Sequence, residues 1–170
     1  MILGIVPHRF HYDKRGIDMN VGIISRKTAE FLKTIGFPEK AAVISFYSPS
    51  KNGGRAEPPV DYSGKTDRVF YIGIPDIDRE CLSDYGYTMD SYFAEADELA
   101  EFIENALSDG YDLICQCDFG QSRSAACAAA ILQHYSGCGI DIFADYRYYP
   151  NQLVYHKVFD ALKKRGEEKE

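Results

Sequence analysis

The stretch Asp112-Leu-Ile-Cys-Gln-Cys-Asp-Phe-Gly-Gln-Ser-Arg-Ser-Ala-Ala126 decides how this chain is read. Leu113–Cys115 is apolar without polar alternation, the mark of a strand buried on both faces. From about Ser122 to Tyr135 the chain is packed with alanine, which reads as a helix lying close against a sheet. Between the two lies a short loop, Cys117-Asp118-Phe119-Gly120-Gln121-Ser122-Arg123. In open α/β sheets, ligands bind beyond the carboxyl ends of the strands, where this loop falls.

Working outward, further apolar runs rich in β-branched residues occupy Ile2–Val6, Val21–Ile24, Ala41–Phe46 and Val69–Ile74, and each reads as a strand. After Asp90, the residues Tyr92, Phe93, Ala96, Leu99, Ala100, Ile103, Ala106 and Leu107 recur at helical spacing, with acidic residues between them. Another helix follows Pro150, with Asn151 as its N-cap and Val154, Val158, Ala161 and Leu162 on its inner face. Residues 8–19 and 49–67 read as loops, the second carrying Asn52-Gly53-Gly54 and Pro58-Pro59. Strands alternating with helices imply an α/β fold: a central, largely parallel sheet flanked by helices, formed by residues 1–170 as one domain.

Composition narrows the function classes. Apolar residues are 45% and charged residues 26% of 170, a balance that fits a folded core and not a disordered chain. The net charge of −7 with no long basic run argues against a nucleic-acid surface. No apolar run approaches the roughly 20 residues that span a membrane. Met1–Val6 lacks a basic leader before Pro7, so no signal peptide is expected and the location expected is cytoplasmic. His8 and His11 form a His-x2-His pair without further ligands, so no metal site is expected. The 5 cysteines include no Cys-x2-Cys pair; four of them, Cys115 included, read as reduced and mostly buried thiols.

Cys117 is the exception. Successive backbone N–H groups in a strand–loop–helix connection converge on one anion, and the helix N-terminus adds partial positive charge. Arg123 adds a full one. Cysteines in such surroundings commonly have pKa values of about 3.5–7.5, so a thiolate nucleophile is expected. The Arg123 guanidinium can grip two phosphate oxygens at once, a fork that lysine lacks. The backbone of Asp118, Phe119, Gly120, Gln121 and Ser122, with Arg123, is thus expected to bind phosphate. If those N–H groups point inward, the side chains of Asp118, Phe119 and Gln121 point outward as a rim.

The segment Cys117-Asp-Phe-Gly-Gln-Ser-Arg123-Ser124 resembles the Cys-x5-Arg-Ser/Thr signature of protein tyrosine and dual-specificity phosphatases. Tyr71-Ile-Gly-Ile-Pro-Asp-Ile-Asp78, with the helix after it, looks like the general-acid segment of the same family, in a small bacterial-type, single-domain form. The likeness covers residues 69–135 well and the rest loosely. One departure stands out: Gln116 occupies the position where the family usually has histidine.

The resemblance implies a hydrolase in which Cys117 forms a thiophosphate intermediate that water then cleaves. Ser124 would donate to the sulfur as it leaves, and an aspartate would protonate the leaving group. Many relatives read Ile-Pro-x-x-Asp, so the spacing selects Asp78, with Asp76 as the alternative. No metal or cofactor is required. The substrate implied is a phosphorylated protein, bearing phosphotyrosine or also phosphoserine/threonine, or a small phosphate monoester, with neither nucleic acid nor membrane as partner. Asp118 puts a negative charge where phosphoinositide-directed relatives tend to be basic, which disfavours a polyanionic lipid. Two other classes compete: a sulfurtransferase, which also places a cysteine in an anion-binding loop, and a catalytically silent phosphate-binding module, suggested by Gln116.

Overall fold

The computed structural model describes residues 7–10, 16, 19–49 and 57–168. Five strands form one sheet: β1 (Pro7–Phe10), β2 (Met19–Ser25), β3 (Ala41–Tyr47), β4 (Val69–Gly73) and β5 (Asp112–Cys117). Their order is β1-β2-β5-β3-β4; β2, β5, β3 and β4 run parallel, and β1 joins the edge antiparallel. β5 therefore sits in the middle, paired on both sides, as its unbroken apolar sequence requires.

Side chains alternate across β5, and the two faces meet different partners. Leu113, Cys115 and Cys117 enter a large core built with α2 (Ala96–Ser108), α3 (Arg123–Ser136) and α5 (Gln152–Glu167). Ile114 faces the opposite layer, where Ala29 and Leu32 of α1 (Arg26–Ile35) pack with Val60 and Tyr62. Helix α3 is buried on nearly every side: Ala125, Ala126, Ala128, Ala129 and Ala130 have no exposed surface. Larger residues there would have to push the helix off the sheet, and overpacking of this kind costs about 1–3 kcal/mol. The alanines thus fix how closely the start of α3 approaches the end of β5.

Several boundaries differ from the sequence reading. Residues 8–10, expected in a loop, pair as β1, while Ile2–Val6 and parts of both expected loops, with His11, lie outside the described residues. Helix α2 begins at Ala96, not near Tyr92. Thr88 and Ser91 exchange side-chain-to-backbone hydrogen bonds there, and Phe93 adopts a left-handed φ of 56°, so the chain turns before it coils. Tyr92 and Phe93 are still buried, which explains their periodicity. Helices α1 and α4 (Ile140–Ala144) were not anticipated. The Asn151 cap of α5 is as expected, its side chain accepting from Val154 N at 3.0 Å.

Candidate active site

Cys117 ends β5, and its residue is 2% exposed, at the floor of the site. Two polar groups adjoin its sulfur: Gly120 N–H donates to Sγ from 3.3 Å, and the Ser124 hydroxyl is hydrogen-bonded to it at 3.0 Å. Gly120 makes this loop possible twice over. Its φ is +69°, and a Cβ there would sit 2.7 Å from Ser25 N and 2.8 Å from the Ile24 carbonyl carbon. The loop is thus folded directly against the β2–α1 junction.

Arg123 opens α3 and is 3% exposed. Its Nη1 donates to the Ile74 carbonyl at 2.7 Å and to Ser48 Oγ at 3.1 Å, while Nη2 donates to Asp118 Oδ2 at 2.8 Å. Its buried Nε has no partner among the described residues. A cavity of about 340 Å³ opens over this group, lined among others by Ser48, Pro75, Asp76, Tyr87, Phe119 and Arg123.

The loop side chains divide in an unexpected way. Phe119 is 82% exposed and Gln121 is exposed, as a rim would be. Asp118 turns inward instead. Its carboxylate accepts from Arg123 on one oxygen and from Arg26 Nε and Nη2, both at 3.2 Å, on the other. Two guanidinium groups within reach outweigh solvent for a short acidic side chain, and Arg26 is brought there by the β2–α1 turn, 92 positions away in sequence.

The two acidic candidates part company. Asp76 lines the cavity beside Arg123, and its Oδ1 accepts from Ser122 Oγ and from Asn151 Nδ2, each at 2.8 Å. Asp78, exposed like Asp76, precedes a 3₁₀ turn without capping it and lines a separate groove of about 900 Å³ with Arg79, Met89 and His156. Beneath the Asp76 segment, Tyr92 donates its hydroxyl to the Pro75 carbonyl at 2.9 Å. Burial first, then the Asp76 charge, pushes that phenol well above its ordinary pKa.

Gln116 faces away from Cys117, into the α1 layer. Its Oε1 accepts from Ser45 Oγ at 2.6 Å and from Tyr62 OH at 3.2 Å. Its buried Nε2 has no partner among the described residues. Desolvation raises the Tyr62 phenol strongly, so it stays a neutral donor. Cys115 and Cys127 are both buried free thiols, and burial first, then its contact with Cys115, pushes the Cys127 thiol well above its ordinary pKa. Sequence reasoning missed Ser48 and Arg26 altogether and saw Asn151 only as a cap. Each reaches the site over a long sequence distance, and only the cap left a local signal.

No family model matches the sequence, and no curated protein matches it. Solved structures do match its fold. A leucine rich repeat and phosphatase domain containing protein from Entamoeba histolytica aligns with a TM-score of 0.52 at 9% identity, over 99% of this chain and 97% of that one. PTPMT1, solved in complex with PI(5)P, gives 0.52 at 13% identity, covering 88% of this chain and 94% of its own. Human DUSP28 gives 0.50 at 18% identity, covering 86% and 90%. The chain has the fold of the tyrosine and dual-specificity phosphatases.

Proposed function

We propose that this chain is a cysteine-dependent phosphatase that hydrolyses phosphate monoesters, with phosphotyrosine the leading substrate. One observation carries the reading. The Cys117 sulfur sits at a strand end between the Gly120 N–H and the Ser124 hydroxyl, beside a buried Arg123 with an unspent donor. A core thiol has no use for those neighbours; a phosphorus-seeking thiolate needs each of them.

In the first step the Cys117 sulfur forms a bond to phosphorus while the bond from phosphorus to the leaving oxygen breaks. Arg123 and the loop N–H groups hold the phosphoryl oxygens, on which charge accumulates. We assign the general acid to Asp76, not to Asp78, because Asp76 lines the same cavity as Arg123. Its proton goes to the departing oxygen. In the second step water attacks phosphorus, Asp76 takes the water's proton, and the sulfur leaves as thiolate with the Ser124 hydroxyl donating to it. Tyr87 and Phe119 flank the cavity, which suits an aryl ester, and Asp76 and Asp118 there disfavour a polyphosphorylated one.

The test is p-nitrophenyl phosphate hydrolysis across pH 5–8 with vanadate as inhibitor. Wild type should turn over and be inhibited, and Cys117→Ser should be inactive yet folded. Turnover by Cys117→Ser in metal-free buffer overturns the mechanism. Activity on thiosulfate alone would favour sulfur transfer, and phosphate binding without turnover a silent module.

A further inference from the structure

The reaction proposed above needs Arg123 to offer one edge of its guanidinium to phosphate and to keep that edge aimed. The hydrogen bonds show which edge is spent. Nη1 donates to Ser48 Oγ, Nη2 donates to Asp118 Oδ2, and the Ser48 hydroxyl itself donates to Asp118 Oδ2 at 3.3 Å. Ser48 and Asp118 are therefore in mutual contact and grip the same side, the Nη1–Nη2 edge. What remains is Nε–H, without a partner among the described residues, and the second proton of Nη2. Those two protons form the other bidentate edge.

Asp118 is in turn held from behind. Arg26 reaches its second oxygen with both Nε and Nη2, and Arg26 N–H donates to the Asp118 carbonyl at 3.2 Å. The Arg26 head is itself fixed by the Pro58 carbonyl at 2.5 Å and lies 3.5 Å from Glu57. A carboxylate that merely stood in for substrate would sit on the Nε edge, and Asp118 does not.

We propose that Asp118 is a positioning residue of the phosphate site: with Arg26 behind it, it clamps the Nη1–Nη2 edge of Arg123 so that the Nε–Nη2 edge faces the bound phosphoryl group. This inference rests on the phosphate-site reading above and adds to it a role for two side chains that act through Arg123. A misplacement of about 1 Å in such a group can cost on the order of 10²-fold in rate.

The experiment measures inorganic phosphate binding by calorimetry together with kcat and KM for p-nitrophenyl phosphate. It uses wild type, Asp118→Ala, Asp118→Asn, Arg26→Ala and the Asp118→Ala/Arg26→Ala double variant. Asp118→Ala should lower kcat/KM by on the order of 10²-fold and weaken phosphate binding. Asp118→Asn, which keeps an oxygen for Nη2, should recover part of both and serves if Asp118→Ala does not fold. Arg26→Ala should move both in the same direction by less, and the double variant should add little to Asp118→Ala, since Arg26 acts through Asp118. Phosphate binding in Asp118→Ala or Asp118→Asn as tight as wild type or tighter, with turnover kept, overturns the proposal. So does full additivity in the double variant. Binding can be read without catalysis, so a wild type that binds phosphate but does not hydrolyse esters defeats only the phosphatase reading. A wild type that does not bind phosphate defeats both.

Discussion

The Ser122 hydroxyl donates to the Asp76 carboxylate across 2.8 Å, joining the segment after β4 to the loop between β5 and α3. Asn151 Nδ2 reaches the same oxygen and also the Ile77 carbonyl at 3.0 Å, so three separate parts of the chain meet at one carboxylate. Asp78, two residues on, takes no part in this junction.

Replacing Asp76 with Asn should therefore slow phenyl and alkyl phosphates by about 10²–10⁴-fold, since their leaving groups need a proton. p-Nitrophenyl phosphate, with its better leaving group, should suffer far less, and the basic limb of the pH–rate profile should flatten. Asp78→Asn should stay close to wild type. A dependence of rate on leaving-group pKa, measured for both variants, checks the assignment, and the reverse pattern would restore Asp78.

Gly120→Ala should damage stability and chemistry together. The left-handed backbone alone costs an L-residue about 1–2 kcal/mol, and its Cβ would meet Ser25 N at 2.7 Å, where no flexible side chain can give way. Because the same residue supplies the N–H that faces the sulfur, turnover should fall beyond what reduced folding explains. Denaturant midpoints set beside kcat of the folded fraction separate the two effects.

Gln116 cannot change its charge, so alkylation of Cys117 should show no step that belongs to this position. Gln116→His introduces a group that titrates near 6.5 in isolation. Iodoacetate inactivation of that variant should acquire a pH-dependent step absent from wild type. Identical profiles would mean that the buried Ser45–Tyr62 contacts keep the new imidazole in one state.

Asn151 has two duties that can be separated. Its Oδ1 caps α5 and its Nδ2 holds Asp76. Asn151→Ala should cost about 1 kcal/mol through the lost cap, and should also slow poor leaving groups. Asn151→Ser keeps a capping oxygen but is too short to hold Asp76 with a donor. It should retain most of the thermal stability while losing activity on phenyl phosphate, a contrast that melting curves and rates together will read.

Much of this was legible in sequence because it is local. The run Leu113–Cys115, the glycine in the loop and the alanines after it each constrain their own backbone, and the four parallel strands followed from apolar runs. Helix α1 was not read, although Ala29, Phe31, Leu32 and Ile35 fall on one side of it; only Ala29 and Leu32 are buried, and Phe31 and Ile35 stay about half exposed. The inward turn of Asp118 was hidden for another reason: it depends on Arg26, whose position is set by the sheet order and by nothing near the loop. The two acidic candidates stand two residues apart, and no local pattern shows that the chain after Asp78 coils into a 3₁₀ turn beside a groove other than the one Asp76 lines.

The alternation along β5 makes the side of the sheet that Cys117 faces a matter of parity. Cys115 and Cys117 fall on one side of the sheet and Gln116 on the other, with Ser45 and Tyr62. A single residue inserted within Leu113–Gln116 would present an amide where the sulfur stands, a deletion would present the Asp118 carboxylate, and either would send the thiol into the opposite layer. Point substitutions along this strand act by degrees, but a change of length by one is all or nothing. Buried on both faces, the strand should tolerate small changes of side-chain volume at a cost and a change of length not at all.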